Sequence, residues 1–298
     1  MDKIHTPVLL EEAIDSLSIK PNGMYIDGTL GDGGHSFAIL NKLSDDGLLI
    51  SIDQDQHAID FVRKYYKDSL RANWIIIQSN FAKVDQVIKK LGIEKEPDGI
   101  LLDIGISSRQ LEDSHNRGFS YLEEKESLDM RMDEHLGVTA KDLLSALSER
   151  ELSNIFFKYG EERYSQRIAR NIKKNISTIN TVGDLTRLIY EAVPAADKST
   201  NKNPSRRVFQ ALRIVVNDEL NTLSEALDKS FEILNKNGRL SVITFHSLED
   251  RIVKNFNLEK SRSGEGNLLF QKYIAPTDDE KRLNPRSASA KLRTLIKN

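Results

Sequence analysis

The residues best suited to chemistry are a glycine-rich turn and two aspartates, each placed at the end of a short apolar segment. The turn reads DGTLGDGGH over residues 27–35, and glycines at 31, 33 and 34 let the backbone approach a ligand closely. Asp53 lies 20 residues beyond Gly33, the spacing at which a carboxylate meets the hydroxyls of a ribose. Asp103 ends another apolar segment. This pattern predicts a site for a ligand that contains a nucleoside.

The charge of the turn discriminates between the two ligands that fit it, a dinucleotide and S-adenosylmethionine. Asp27 and Asp32 make the turn acidic, and the glycine intervals depart from the dinucleotide pattern G-x-G-x-x-G. A pyrophosphate there would be repelled at a cost on the order of a few kcal/mol. A sulfonium and an ammonium group would be attracted instead. The electrostatics therefore favour S-adenosylmethionine as the cofactor.

Apolar strands alternating with helical patterns must position these residues. We predict strands at 24–27, 48–53, 74–77, 100–103 and 239–244. Near-continuous apolar strands separated by helices indicate a parallel sheet covered on both faces. In such a sheet, ligands bind outside the carboxyl ends of the strands. The predicted fold class is α/β, with a mostly parallel, doubly wound sheet.

The long interval between the fourth and fifth strands indicates an inserted all-helical domain. Residues 136–200 carry helical spacing of Leu, Ile and Phe, and 206–235 predict one long amphipathic helix that returns to the sheet. We therefore assign residues 1–112 plus 206–298 to a cofactor-binding domain. Residues 113–205 form the inserted domain, which we expect to recognise the substrate.

Composition excludes several classes of protein. The absence of cysteine excludes disulfides, thiolate zinc sites and a thiol nucleophile, and no histidine spacing indicates a metal. No apolar run approaches the ~20 residues that span a bilayer, and the amino terminus lacks a secretory pattern, so we expect a cytoplasmic enzyme with no membrane partner. The sequence leaves open whether it forms a homodimer.

Two basic segments are candidates for contact with phosphates, although the net charge is −2. Arg163, Arg167, Arg170 and Lys174 are spaced to lie on one helical face, where a solvated face is the alternative interpretation. Residues 281–298 carry six Lys or Arg and no acid. Both segments would hold RNA phosphates if a nucleic-acid substrate is established separately.

Nine longer stretches resemble the bacterial 16S rRNA (cytosine-N4)-methyltransferases and extend over nearly the whole chain. They are HTPVLLEEAI (5–14), DGTLGDGGHS (27–36), DQDQHAI (53–59), LLDIGISSRQLED (101–113), RGFSY (117–121), SLDMRMD (127–133), RRVFQALRIVVNDEL (206–220), TFHSLEDRIVK (244–254) and NPRSASAKLR (284–293). Arg109 and Thr244 depart from the residues common there, Pro and Ser. Neither position is one of the cofactor contacts that the resemblance implies.

The resemblance implies methyl transfer to the exocyclic N4 amine of a decoding-centre cytidine, cytidine 1402 of 16S rRNA in the small ribosomal subunit. It places S-adenosylmethionine in contact with a set of seven residues: Gly33, Gly34, His35, Asp53, Phe81, Asp103 and Gln110. The resemblance also implies a class I (Rossmann-like) methyltransferase core that carries the inserted helical domain. The expected reaction is direct in-line displacement, with no metal and no covalent intermediate.

Four residues in the family-like stretches are candidates to contact the target base: His246, Asp129, Arg131 and Asn217. His246 follows the fifth strand at its carboxyl end, where it faces the predicted site. Asp129 and Arg131 would alternatively pair with each other, and a lone histidine is often structural. A nicotinamide-dependent oxidoreductase and a non-catalytic RNA-binding assembly factor remain alternative functions.

Overall fold

The computed structural model describes residues 6–112, 114–194 and 203–298. The chain forms two compact units. The first unit comprises Met1–Ser107 and Leu220–Asn298, and the second comprises Ser108–Glu219.

The first unit is built on a seven-stranded sheet. Its strands are β1 (Met24–Asp27), β2 (Leu48–Asp53), β3 (Trp74–Gln78), β4 (Gly99–Asp103), β5 (Arg239–Thr244), β6 (Gly266–Leu268) and β7 (Lys291–Lys297). The strand order is β3-β2-β1-β4-β5-β7-β6. Strands β1 to β5 are parallel, whereas β7 pairs antiparallel with both β5 and β6. The mostly parallel α/β fold predicted from the apolar strands is confirmed.

Helices cover both faces of this sheet. They are α1 (Leu10–Leu17), α2 (Gly34–Leu40), α3 (Gln56–Tyr65), α4 (Val84–Leu91), α11 (Glu219–Ile233, which begins at the boundary of the unit), α12 (Ser247–Arg262) and α13 (Asp278–Leu283). Side chains alternate across a strand, so Tyr25 of β1 packs in one core cluster while Met24 and Ile26 pack in the other. The sheet is therefore buried on both faces.

The second unit is helical. It contains α5 (Ser108–Glu112), α6 (Ala140–Ala146), α7 (Glu149–Gly160), α8 (Ser165–Lys174), α9 (Val182–Ala192) and α10 (Pro204–Val216). Helices α6, α7 and α9 each begin with a capping box, in which a Ser or Thr and an acid three residues later satisfy the first backbone N–H groups. The spacing of Leu, Ile and Phe predicted helices in this region, and the capping boxes fix the residues at which these three helices begin.

The predicted single helix over 206–235 is wrong, because the structure has two helices, α10 and α11. The chain turns between them at Asp218, whose φ of 48° is left-handed and ends the helix. Helix α10 packs within the second unit, where Gly160 of α7 lies against the backbone of Arg207 so closely that an added Cβ would sit 2.5 Å from its carbonyl oxygen. The second unit therefore ends at Glu219, 14 residues beyond the predicted boundary at residue 205.

The carboxyl-terminal basic segment is largely structural. Lys291 and Arg293, on β7, each donate to Asp250 at 2.8 Å. Lys297 donates to two backbone carbonyls at the end of α11. The structure thus assigns three of the six basic residues to holding β7 against the rest of the first unit. These three contacts weigh against the predicted phosphate-binding role of the segment.

Across the described parts of the chain, every helix is too short or too polar to cross a membrane.

Candidate functional site

The carboxyl ends of β1, β2 and β4 carry the three predicted aspartates, Asp27, Asp53 and Asp103. These strands are neighbours, because β1 pairs with both β2 and β4. The parallel pairing brings the three strand ends to the same edge of the sheet. The structure therefore brings together the acidic residues that the sequence placed at one site.

The glycine-rich turn joins β1 to α2 and depends on its glycines for geometry. Gly31 and Gly33 have φ values of 50° and 81°, which favour residues without a Cβ. Gly33 is the N-cap of α2. A Cβ on Gly34 would lie 2.2 Å from Cγ of Pro7, so this glycine is required by packing within the protein. Backbone N–H groups at the start of α2 remain suited to an electron-rich ligand group.

Asp53 has the remaining acceptor capacity that a ribose needs. Its Oδ2 accepts the N–H of Gly31 at 2.8 Å, and its Oδ1 accepts the N–H of Asp55 at 2.9 Å. A carboxylate offers about four lone-pair sites, so about two are left for hydroxyl donors. Burial raises the pKa of Asp53 to about 7, against the lowering effect of the two N–H donors.

Asp103 presents a buried acceptor that has no partner within the described residues. Its Oδ1 makes no hydrogen bond there, while its Oδ2 lies 3.6 Å from Nδ1 of His35. Burial, followed by the charges of Asp27 and Glu249, raises the pKa of Asp103 well above its usual value. A buried carboxyl oxygen without a partner is costly, so this atom is a candidate contact for a ligand.

His35 is buried beside Asp103, with 5% of its surface exposed. Its Nε2 lies 3.2 Å from the carbonyl oxygen of Val8, and a carbonyl can only accept, so Nε2 carries a proton. Burial lowers the pKa of His35, although the charge of Asp27 opposes that shift. The ring is therefore favoured in its neutral form and packs as part of the wall of the site.

Phe81 lies at the edge of the same site. It begins a 3-10 turn after β3, and a Cβ added to Gly28 would lie 3.2 Å from Cβ of Phe81. Asn80 caps this turn and donates to the side chain of Gln54, just beyond β2. The sequence analysis did not single out Asn80 and Gln54. The available signal was that each follows closely on the end of a strand, Gln54 after β2 and Asn80 after β3.

The seventh predicted cofactor residue, Gln110, lies on α5 of the second unit and is buried there. Its contact with the cofactor stays a prediction.

Among the base-contact candidates, His246 is the N-cap of α12. Its Nδ1 accepts the N–H of Glu249 at a long 3.3 Å, and its Nε2 lies 2.9 Å from Oε1 of the same residue. The Glu249 side chain is fully buried and its Oε2 accepts the N–H groups of Phe245 and His246. Both ring nitrogens therefore face Glu249 in a capping box, and a role in proton transfer requires Nδ1 to release the N–H of Glu249.

The other three candidates make extensive contacts within the second unit. Arg131 forms a two-pronged ion pair with Asp129 at 2.6 and 2.7 Å, and it also donates to the carbonyls of Glu134 and Leu136. Asn217 accepts the N–H of Met132 at 2.8 Å and donates to the carbonyls of Met130 and Arg213. Asp129 and Arg131 therefore pair with each other, which was the alternative interpretation of these two residues.

Replacing Asn217 with alanine is expected to lower the free energy of unfolding by about 2–4 kcal/mol, because it removes two buried hydrogen bonds, from the N–H of Met132 and to the carbonyl of Met130. Urea unfolding followed by circular dichroism measures this change. The control is Asn154→Ala, an exposed asparagine on α7, which should stay within about 0.5 kcal/mol. Equal stability of the two variants would show that the Asn217 amide is not structural.

The predicted basic stripe lies on the surface of the second unit. Arg167, Arg170 and Lys174 are exposed on α8, whereas Arg163 precedes the helix and stacks over the ring of Tyr164 at 4.7 Å. Arg170 pairs with Glu149 at 3.3 Å, with both side chains exposed. An exposed pair of this kind contributes little stability, so Arg170 can exchange this partner for a phosphate.

Comparison with known proteins gives a consistent result over the full chain. The model of the MraW methylase family matches residues 2–298. Two curated relatives, from Clostridium botulinum (strain Loch Maree / Type A3) and Heliobacterium mobile, are 45% and 43% identical over 100% of both chains. Both are named ribosomal RNA small subunit methyltransferase H.

A solved structure is similar in fold. It comes from Clostridium thermocellum and is assigned as an rRNA-methylase. The match has a TM-score of 0.50 at 12% identity and covers 99% of this chain and 100% of the other. At that identity the similarity supports the class I methyltransferase fold alone.

Proposed function

The chain belongs to the MraW methylase family, and from this premise we propose that it methylates the exocyclic N4 amine of a decoding-centre cytidine in 16S rRNA. It is a methyltransferase, and its methyl donor is S-adenosylmethionine. A substrate within the small ribosomal subunit would place the enzyme in the cytoplasm. The nicotinamide oxidoreductase and the silent assembly factor are not favoured.

The observation that carries the cofactor assignment is the set of carboxylates at the ends of β1, β2 and β4. Asp53 retains acceptor sites that suit two ribose hydroxyls, and Asp103 Oδ1 is a buried acceptor without a partner among the described residues. Asp27 adds a third, fully buried acid. These residues fit a ligand with hydroxyl donors and positive charge, and a pyrophosphate would be repelled by the same groups.

The bound cofactor supplies an electrophilic methyl group on a sulfonium. The N4 amine is a poor nucleophile because its lone pair is delocalised into the ring, so the protein must align it with that methyl group. Alignment alone can contribute ~7–11 kcal/mol to lowering the barrier. The amine must also lose a proton once the new bond forms. We assign His246 as the proton acceptor at Nδ1, which gives up its long contact with the N–H of Glu249 to take the proton, while the Glu249 carboxylate beside Nε2 orients the ring.

The target base must be flipped out or presented in a single-stranded segment. We assign the second unit to substrate recognition, with the exposed basic residues of the α8 region as phosphate contacts. A modest basic stripe on a chain of net charge −2 favours a structured ribonucleoprotein as substrate, because such a particle offers additional surface for contact.

Replacing Arg167 and Lys174 together with alanine is expected to weaken RNA binding and to lower the salt dependence of binding by up to about two phosphate contacts. Binding to small subunits at several salt concentrations measures the slope. The control is Arg150→Ala, an exposed arginine on α7 outside the stripe. An unchanged slope in the double variant would mean that α8 is a solvated face.

The function is tested by incubating the protein with labelled cofactor and small subunits from an unmodified strain, then mapping the labelled nucleoside by mass spectrometry. We expect label on one cytidine of the decoding centre, at N4. Label on another atom or nucleoside would contradict the assignment. Naked rRNA fragments should react more slowly than assembled subunits, and equal rates would contradict the preference for a ribonucleoprotein.

A further inference from the structure

Three consecutive buried hydrogen bonds, which we call the relay, lead from the core of the first unit to the predicted cofactor site. Trp74 Nε1 lies 2.8 Å from Ser51 Oγ, which lies 2.7 Å from Ser36 Oγ, which in turn lies 2.6 Å from Asp27 Oδ2. Ser51, Ser36 and Asp27 are fully buried, and Trp74 is 6% exposed. Water therefore cannot substitute for any of these partners.

The residues at the two ends of the relay, Trp74 and Asp27, fix the direction of each hydrogen bond in it. The indole N–H of Trp74 can only donate, and at the other end the Ser36 hydroxyl donates to Asp27. Ser51 therefore accepts from Trp74 and donates to Ser36, and Ser36 donates to Asp27. Each hydroxyl has one donor and one acceptor partner, and bonds aligned in one direction polarise and strengthen one another.

We propose that Trp74, Ser51 and Ser36 are positioning residues that hold Asp27 as an anion beneath the cofactor and so set the affinity for it. The relay acts through Asp27, since β1 ends at Asp27 and the glycine-rich turn follows directly. Asp27 Oδ1 also accepts the N–H of Thr29 in that turn at 3.1 Å. The proposal rests on the proposed function, because it assumes that this edge of the sheet binds S-adenosylmethionine.

The relay opposes the effect of burial on Asp27. Burial raises the pKa of Asp27, whereas the Ser36 hydroxyl and the contacts from Thr29 lower it. The ionisable groups that face Asp27 are His35 on α2, Asp53 at the end of β2 and Asp103 at the end of β4. Breaking the relay should therefore move the loss of cofactor affinity on acidification to a higher pH.

Two variants break the relay at different points. Ser51→Ala removes its middle, and Trp74→Phe removes its first donor while keeping an aromatic ring in contact with Tyr66. The matched control is Ser241→Ala. Ser241 is also fully buried in the sheet, and its hydroxyl lies 2.7 Å from Ser16 Oγ and 3.0 Å from Thr294 Oγ1. The control leaves Asp27, Asp53, Asp103 and His35 unchanged.

Calorimetry with S-adenosylhomocysteine from about pH 6 to about pH 8.5 measures the effect. Relative to Ser241→Ala, both relay variants should bind about tenfold more weakly at the acidic end and less than about threefold more weakly at the alkaline end. Circular dichroism melting identifies any variant that fails to fold. Affinities equal to that of Ser241→Ala at every pH would overturn the relay while leaving the function intact. Failure of the wild-type protein to bind at any pH would overturn both.

The indole N–H of Trp74 offers a second readout. Trp74 is the only tryptophan of the chain, so a nitrogen-15 spectrum contains one indole N–H resonance. We expect Ser36→Ala to shift this resonance at constant pH, because it removes the group to which Ser51 donates, whereas Ser241→Ala should leave it in place. A resonance at the same position in Ser36→Ala and in the wild-type protein would overturn the proposal.

Discussion

Replacing Asp53 with alanine is expected to weaken S-adenosylhomocysteine binding by about a hundredfold or more. The carboxylate accepts two backbone N–H groups and has acceptor capacity for two ribose hydroxyls. Each hydrogen bond to a charged group contributes about 1.5–3 kcal/mol, so the loss of two corresponds to at least two orders of magnitude in affinity. Isothermal titration calorimetry measures the change.

The matched control for this experiment is Asp60→Ala, which removes an exposed carboxylate from α3, the helix that follows the same strand. Its affinity should stay within about twofold of wild type. Asp53→Asn keeps the size of the side chain and one acceptor oxygen, and we expect it to lie between wild type and Asp53→Ala. Unchanged affinity in Asp53→Ala would mean that the ribose lies elsewhere.

Asp53 also makes cofactor binding depend on pH, and the sign follows from its raised pKa of about 7. The ionised form is the one that accepts two hydroxyl donors, so affinity should fall as the pH is lowered through about 7. About one unit below this value the affinity should be roughly tenfold weaker. Asp53→Asn should lack this contribution to the pH dependence of affinity. The pH dependence that remains in Asp53→Asn is the contribution governed by Asp27.

The parallel core of the fold was predictable because its strands are buried on both faces. The bounds of β1, β2 and β5 agree with the apolar runs in the sequence. Convergence of Asp27, Asp53 and Asp103 followed from a general property of parallel sheets, namely that the carboxyl ends of neighbouring strands meet at one edge. The positions of these residues at strand ends were therefore sufficient to predict that the three carboxylates lie together.

The antiparallel edge of the sheet was not predictable from the same pattern. Strand β7 contains three basic residues, and their neutralising partners are far away in the sequence, such as Asp250 for Lys291 and Arg293. Strand β6 has three residues, too few for a periodic signal. The break at Asp218 was missed because the apolar spacing continues on both sides of it, and only the backbone conformation records the turn.

The candidate residues also differ in how far their roles could be predicted. An amide such as that of Asn217 suits either a base edge or the backbone, and the structure places it on the backbone groups of Met130 and Met132. His246 is different, because its Nδ1 accepts the backbone N–H of Glu249 while its Nε2 lies beside the carboxylate of the same residue. Such a ring can act as a helix cap or as an oriented base, and the contacts alone are compatible with either.

Replacing His246 separates these two roles. We expect both His246→Ala and His246→Asn to lower kcat for methyl transfer by about a hundredfold or more, the usual contribution of a positioned acid or base. Asparagine is a favourable N-cap, so His246→Asn should keep α12 intact, while His246→Ala should lose about 1 kcal/mol of stability through the lost cap. Single-turnover assays with small subunits measure the rate of methyl transfer, and thermal unfolding measures the stability lost with the cap.

The affinity for S-adenosylhomocysteine should stay within about threefold of wild type in both His246 variants, since His246 is not among the predicted cofactor contacts. The informative comparison is the rate of the asparagine variant. If His246→Asn retains the wild-type rate while His246→Ala is slow and less stable, the histidine serves only to start α12. If both variants are slow although His246→Asn is fully stable, the imidazole itself takes part in the transfer, and Glu249 becomes the group that orients it.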